Sequence, residues 1–158
     1  MRLTLKRTIQ SSLSIALLLG LGACKGQPDT PEGRMAHQRH ENFEAIGDAY
    51  KAITDELEKN APDFILIRNN ADTIKGFAPK VVTWFPKGTG PNDGVRTHAL
   101  ETVWTKPEQF QQAATRFVDE SARFRSLVPG GDAALLKKAA GELGGACKNC
   151  HDTFREKD

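Results

Sequence analysis

The sequence predicts an all-α fold, an up-and-down antiparallel bundle of four helices. Three observations carry this. Apolar residues recur at steps of three and four over four long stretches, the spacing that puts them on one helix face. Proline, glycine and turn-forming dipeptides punctuate the chain between those stretches, and no alternating run of useful strand length interrupts them. The connections are short, so sequential helices become antiparallel neighbours.

Taken in order, residues 24–33, with Gly26, Pro28, Pro31 and Gly33, read as a flexible tether. Phe43, Ile46, Tyr50, Ile53 and Leu57 then form the first stripe. Asn60 is the expected cap of the second helix, with Pro62 in its first turn. That helix carries Ile67, Ala71, Ile74 and Ala78, and Pro79 should kink or end it. Gly88 to Gly94, containing Pro91 and Asn92-Asp93-Gly94, is a loop. Thr105-x-x-Glu108 matches a capping box with Pro107 in the first turn. The third helix follows with Phe110, Ala114, Phe117, Ser121, Phe124 and Leu127. Pro129-Gly130-Gly131 breaks the chain and Asp132 caps the last helix. One side of it shows Leu136, Leu143, Cys147, Cys150 and Phe154.

Chemistry enters at Cys147-Lys148-Asn149-Cys150-His151. A C-x-x-C-H run is the attachment site of c-type haem. Positions three apart share a helix face, so both thiols can reach the porphyrin edge and form thioethers. His151 lies four residues after Cys147 on that face and can offer the iron a neutral ring nitrogen. A thioredoxin-like C-x-x-C belongs early, where a strand meets a helix. A zinc site needs two further ligands, and the chain has no second cysteine pair. The expected cofactor is therefore one haem c, covalent through Cys147 and Cys150, with His151 on the metal.

The N-terminus agrees with that chemistry. Residues 1–23 hold Arg2, Lys6 and Arg7, an apolar run from Ile15 to Leu21, then small residues. This is a bacterial export leader whose apolar core is too short to span a membrane. C-type haem is attached outside the cytoplasm in bacteria, so a periplasmic protein is expected. Leu21-Gly22-Ala23-Cys24 resembles a lipobox, in which the cysteine becomes the lipidated first residue. Leucine three positions before the cysteine suits it better than ordinary cleavage does. A membrane tether through lipidated Cys24 is the expectation, with simple cleavage nearby and a free periplasmic protein as the alternative. The full chain has 22 Lys+Arg and 20 Asp+Glu; without residues 1–23 the balance is 19 against 20. A near-neutral mature protein has no basic patch for nucleic acid.

Further residues resemble one family, cytochrome c′, the class II c-type cytochromes. Arg39-His40-Glu41-Asn42-Phe43-Glu44-Ala45-Ile46-Gly47 is similar to its first-helix run. Trp84-Phe85-Pro86-Lys87-Gly88-Thr89 is similar to its Leu-Phe-Pro-x-Gly-Thr segment. Val103-Trp104, with Phe110 six residues on, resembles its Ile-Trp segment. Cys147 to Arg155 matches Cys-x-x-Cys-His-x-x-(Phe/Tyr)-Arg. The resemblance covers residues 34–158 and implies the haem-bearing bundle. It implies that Arg39 pairs with a haem propionate. His40, where the family usually has Gln, would donate a hydrogen bond toward a propionate. Thr89 would bond the haem edge. Arg155 would place positive charge near the proximal imidazole, although an arginine also suits any helix C-terminus.

Phe43 carries the functional distinction. The matching position faces the vacant side of the iron, and a phenylalanine there cannot ligate. Competing sixth ligands are Met35, His37 and above all His40, three residues before Phe43; His98 lies in a connection. With Phe43 over an open iron, the protein is expected to bind nitric oxide or carbon monoxide rather than oxygen, to exchange electrons with periplasmic redox partners, or both. The alternative is a six-coordinate low-spin pure electron carrier. A peroxidase-like enzyme wants a distal acid–base group, which only His40 could supply. Dimerisation through the first two helices is common in the family, and no apolar surface stripe in this sequence decides it.

Overall fold

A computed structural model of the chain describes residues 29–157. The leader and residues 24–28 of the tether, Cys24 among them, lie outside the described residues. Helix α1 spans Pro31–Leu57 and begins three residues inside the stretch read as tether. Pro31 pre-sets the first turn and the Thr30 hydroxyl accepts from Gly33 N at 3.0 Å. Helix α2 spans Phe64–Phe77. Its cap is Asp63, not Asn60: the Asp63 carboxylate accepts from Ile65 N at 2.8 Å and Leu66 N at 3.1 Å. An anionic acceptor at the positive helix end is favoured over a neutral amide. The intervening turn is held by Glu56, whose carboxylate accepts from Asp63 N at 2.8 Å.

Pro79 ends α2 as expected, and the chain tightens into a 3-10 helix, Ala78–Trp84. After a loop, a four-residue helix α3, Thr102–Thr105, precedes α4, Pro107–Leu127. The expected Thr105–Glu108 capping box does not form. Thr105 is itself helical and its hydroxyl donates back to Glu101 O at 3.2 Å, so it cannot take the extended cap conformation. A turn through Val128–Gly130 leads to Gly131, whose φ of 64° suits glycine. Asp132 then caps α5, Ala133–Phe154, accepting from Leu135 N at 3.0 Å.

Helices α1, α2, α4 and α5 form the four-helix bundle, with α1 packed on α2 and α4 on α5 most extensively. Their stripes meet in one core in which Ile53, Leu57, Ile67, Ile74, Phe124, Leu136 and Leu143 are fully buried. Each contributes on the order of 1.5–3 kcal/mol. Among the described residues there is no strand, only an isolated bridge between Ala99 and Arg155. The α1–α5 seam is pinned by Tyr50, whose hydroxyl donates to Ala140 O at 3.0 Å. Gly144 makes this close approach possible: a Cβ there would come within 3.0 Å of Tyr50 Cζ and nearer still to the hydroxyl.

Candidate haem site

The last turns of α5 carry Cys147, Cys150 and His151. Both thiols are half-buried and pack against the apolar core, while His151 is exposed. Burial pushes the Cys150 thiol up to about 11 and raises that of Cys147. Such surroundings penalise a thiolate and favour neutral sulfur, which is what a thioether is. Among the described residues no three His, Cys, Asp or Glu side chains converge as a metal-ion site. Two inward sulfurs one turn apart, an adjacent imidazole and an aromatic wall thus fit a covalently held porphyrin.

The wall comes from elsewhere in the chain. Phe43 on α1 meets Trp84 edge-on at 5.2 Å between ring centres, and Phe85 at 6.1 Å. Phe85 continues to Phe110 at 4.9 Å, and Phe110 to Phe154, the residue closing α5, at 5.2 Å. Register follows from Tyr50. Seven residues back along α1 is about 10 Å, and the same step on the antiparallel α5, taken from Ala140 and Gly144, reaches Cys147 and His151. Phe43 is therefore level with the cysteine-bearing turns.

Arg39 holds this wall in place. It is only 3% exposed. One terminal nitrogen donates to Trp84 O at 3.1 Å and the Thr89 hydroxyl at 3.2 Å. The other donates to Thr89 O at 3.2 Å and the Thr97 hydroxyl at 2.8 Å. Its guanidinium lies 4.5 Å from the centre of the Phe85 ring. Burial lowers its pKa to about 10, so it stays charged at neutral pH. The arginine that the resemblance sets against a haem carboxylate is, here, the clamp between α1 and residues 84–97. Thr89 is likewise engaged: buried, accepting from Arg39 and donating to Pro86 O at 2.8 Å. Trp104 completes the clamp from α3, its indole N–H donating to Phe85 O at 3.2 Å and Pro86 O at 3.1 Å.

The rival distal residues are not brought to the wall. His40 is exposed, with Nε2 3.2 Å from Glu44. Stepping back from Phe43 by four gives Arg39 and by three gives His40, and the buried row of α1 runs through Arg39. His37 faces Glu41 at 3.8 Å, Met35 is 49% exposed, and His98 faces Glu156 at 3.5 Å. Arg155 follows the final turn of α5, with its N–H on His151 O at 3.1 Å.

One structural feature has no signature in the sequence. The segment before α3 latches the end of α5. Leu100 N donates to Phe154 O at 2.9 Å, Glu156 N to His98 O at 2.7 Å, and the Thr102 hydroxyl to Thr153 O at 2.7 Å. These contacts span about fifty residues of chain, and none of the groups has a distinctive pattern of its own.

Known proteins of this architecture are similar in both sequence and structure. The sequence profile described as Cytochrome C' matches residues 34–155. The cytochrome c′ of Pararhodospirillum photometricum is 31% identical over 128 residues, which is 80% of this chain and 99% of that protein. The solved structure of cytochrome c′ from Rubrivivax gelatinosus superposes with a TM-score of 0.71 at 30% identity, covering 79% of this chain and 97% of that one. A nitric oxide complex of a variant cytochrome c′ from Alcaligenes xylosoxidans shares the fold, with a TM-score of 0.71 at 24% identity over 80% and 97% of the two chains. With the bundle, the motif on its final helix and the match over most of its length in agreement, the chain belongs to the cytochrome c′ family and carries one covalent haem on Cys147 and Cys150.

Proposed function

We propose that this cytochrome c′ is a periplasmic haem protein that exchanges electrons and captures nitric oxide or carbon monoxide on the Phe43 side of its iron. The bound haem supplies one-electron chemistry and a coordination position for small neutral ligands. His151 holds the iron as the only protein ligand. Phe43 presents a ring without a lone pair, braced by Trp84 and Phe85, and limits entry to diatomic ligands. The observation that carries the reading is the placing of Phe43 level with the cysteine turns while His37, His40 and Met35 are exposed. The nitric oxide complex of the Alcaligenes relative supports the same choice. The rings packed on Phe43 are those of Trp84 and Phe85, which offer no acid–base group, and this supports a carrier and trap over a peroxidase-like enzyme.

Arg39 sets the wall's position, and its remaining contact with a haem carboxylate is part of this reading, as are the places of Thr89 and His40 near the haem edge. Arg155, one turn beyond His151, adds positive charge on the proximal side and tunes the iron. The export leader and Leu21–Cys24 support a periplasmic domain tethered to a membrane through lipid on Cys24; no described helix is long and apolar enough to cross one. Optical and electron paramagnetic resonance spectra of the ferric and ferrous protein, with and without nitric oxide, test the reading. Five-coordinate iron that shifts with nitric oxide is expected. A six-coordinate low-spin spectrum indifferent to the gas would replace it with the pure electron carrier.

A further inference from the structure

The flank of α5 opposite His151 carries a feature that haem attachment does not explain. Asn149 and Thr153 lie two residues to either side of His151, and about 100° per residue puts both on the far side of the helix. With Gln109, Gln112 and Arg116 of α4 they line a groove of about 290 Å3. Ala113 and Phe154 lie deeper and are buried. The three α4 residues stand in one row, at steps of three and four.

The groove offers donors and no carboxylate. Among the described residues Arg116 has no ion pair or hydrogen bond through its side chain, whereas Arg34, Arg123 and Arg125 each face an acid. Of the acids nearby along the two helices, Glu120 faces Arg123 at 3.5 Å and Asp152 faces Lys148 at 2.5 Å, and Asp119, three residues beyond Arg116, does not line the groove. The amides of Gln109, Gln112 and Asn149 likewise make no hydrogen bond among the described residues. Gln109 sits in the first turn of α4, whose N-terminus has no side-chain cap, so the positive helix end lies beside the groove. Glu108, in the same turn, does not line it.

We propose that this groove binds a small oxyanion, a carboxylate or phosphate, with Arg116 as the charged anchor and the surrounding amides and the Thr153 hydroxyl as further donors. A planar guanidinium with converging neutral donors suits such an anion. The volume sits at the small end of the ligand-pocket range of about 300–1,000 Å3, which fits a small anion rather than a nucleotide. The site needs only α4 and α5 and does not depend on what the iron binds.

Calorimetric titration of the holoprotein with inorganic phosphate, and separately with succinate, tests this against sodium chloride at matched ionic strength. Saturable one-site binding of at least one probe in the millimolar range is expected. R116Q should weaken it at least about tenfold, the loss expected for one charge-assisted hydrogen bond, and R34Q should leave it unchanged. N149D, which brings a carboxylate into the groove, should also weaken it. Melting curves of both exposed-site variants should overlay those of the parent. No saturation with either probe, or equal affinity in R116Q, overturns the proposal. Retention on phosphatidylglycerol vesicles without binding of either free anion overturns it in favour of a membrane contact.

Discussion

At the scale of single residues, Phe43 and Gly144 show how one side chain sets a property. A thioether at position 43 would reach from the same helix level as the phenyl ring and carry a lone pair. Phe43→Met is therefore expected to convert the iron to a six-coordinate, low-spin form that resists nitric oxide, read in the optical spectrum. Phe43→Ala should speed carbon monoxide association in stopped flow, because the bracing ring is gone. A spectrum unchanged in Phe43→Met would place position 43 away from the iron. Gly144 acts by absence. Its Cβ would collide with Tyr50, so Gly144→Ala should cost about 1–3 kcal/mol of overpacking and disturb the Tyr50–Ala140 hydrogen bond. Denaturant unfolding reads the first effect. Gly144→Ala combined with Tyr50→Phe should recover part of it, since the hydroxyl is the nearest obstacle.

At the scale of elements, helix starts separate sequence signals that form from those that do not. Asp132 caps α5 through Leu135 N, so Asp132→Ala should cost about 1 kcal/mol. Thr105 matches a capping box in sequence but bonds back to Glu101, so Thr105→Ala should cost nothing attributable to capping. Equal losses in the two variants would restore the box. The α1–α2 turn adds a pH dependence. Lys59, then the Asp63 N–H, hold Glu56 below its ordinary value of 4.5. A carboxyl with a depressed folded value stabilises the fold above its ordinary pKa and loses that contribution as pH falls through the folded value. Glu56→Gln should thus be less stable near neutrality, and its deficit should shrink as unfolding is measured at progressively lower pH below about 4.5. A deficit constant across that window would assign the effect to packing instead.

At the scale of the whole molecule, the bundle and the haem share one core. The cysteines, Phe43, Trp84 and Phe85 are only partly buried, and they lie against the same cluster that contains Ile53, Leu136 and Leu143. Haem attached there adds a large apolar body to that cluster, and stability lost without it follows from area. Apoprotein with both cysteines replaced by alanine is expected to remain helical by circular dichroism but to melt well below the holoprotein, with reduced cooperativity. A melting transition coincident with that of the holoprotein would show that the helices close their core unaided.

What the sequence determined by itself was whatever depends on near neighbours in the chain. The C-x-x-C-H spacing places two sulfurs and an imidazole by helix geometry alone. The stripes of α2, α4 and α5 were legible because period fixes which residues share a face, and Asp132 capped where expected because a cap is a three-residue interaction. What only the tertiary structure decided was any choice between near-equivalent local options. Arg39 rather than His40 turns inward because the core row of α1 meets residues 84–97, a contact across forty-five residues or more. Asp63 prevails over Asn60 because Glu56 folds back onto the turn. The latch of residues 98–102 on α5 and the uncommitted groove behind His151 exist only once distant segments meet, and no local pattern of residues encodes a meeting of that kind.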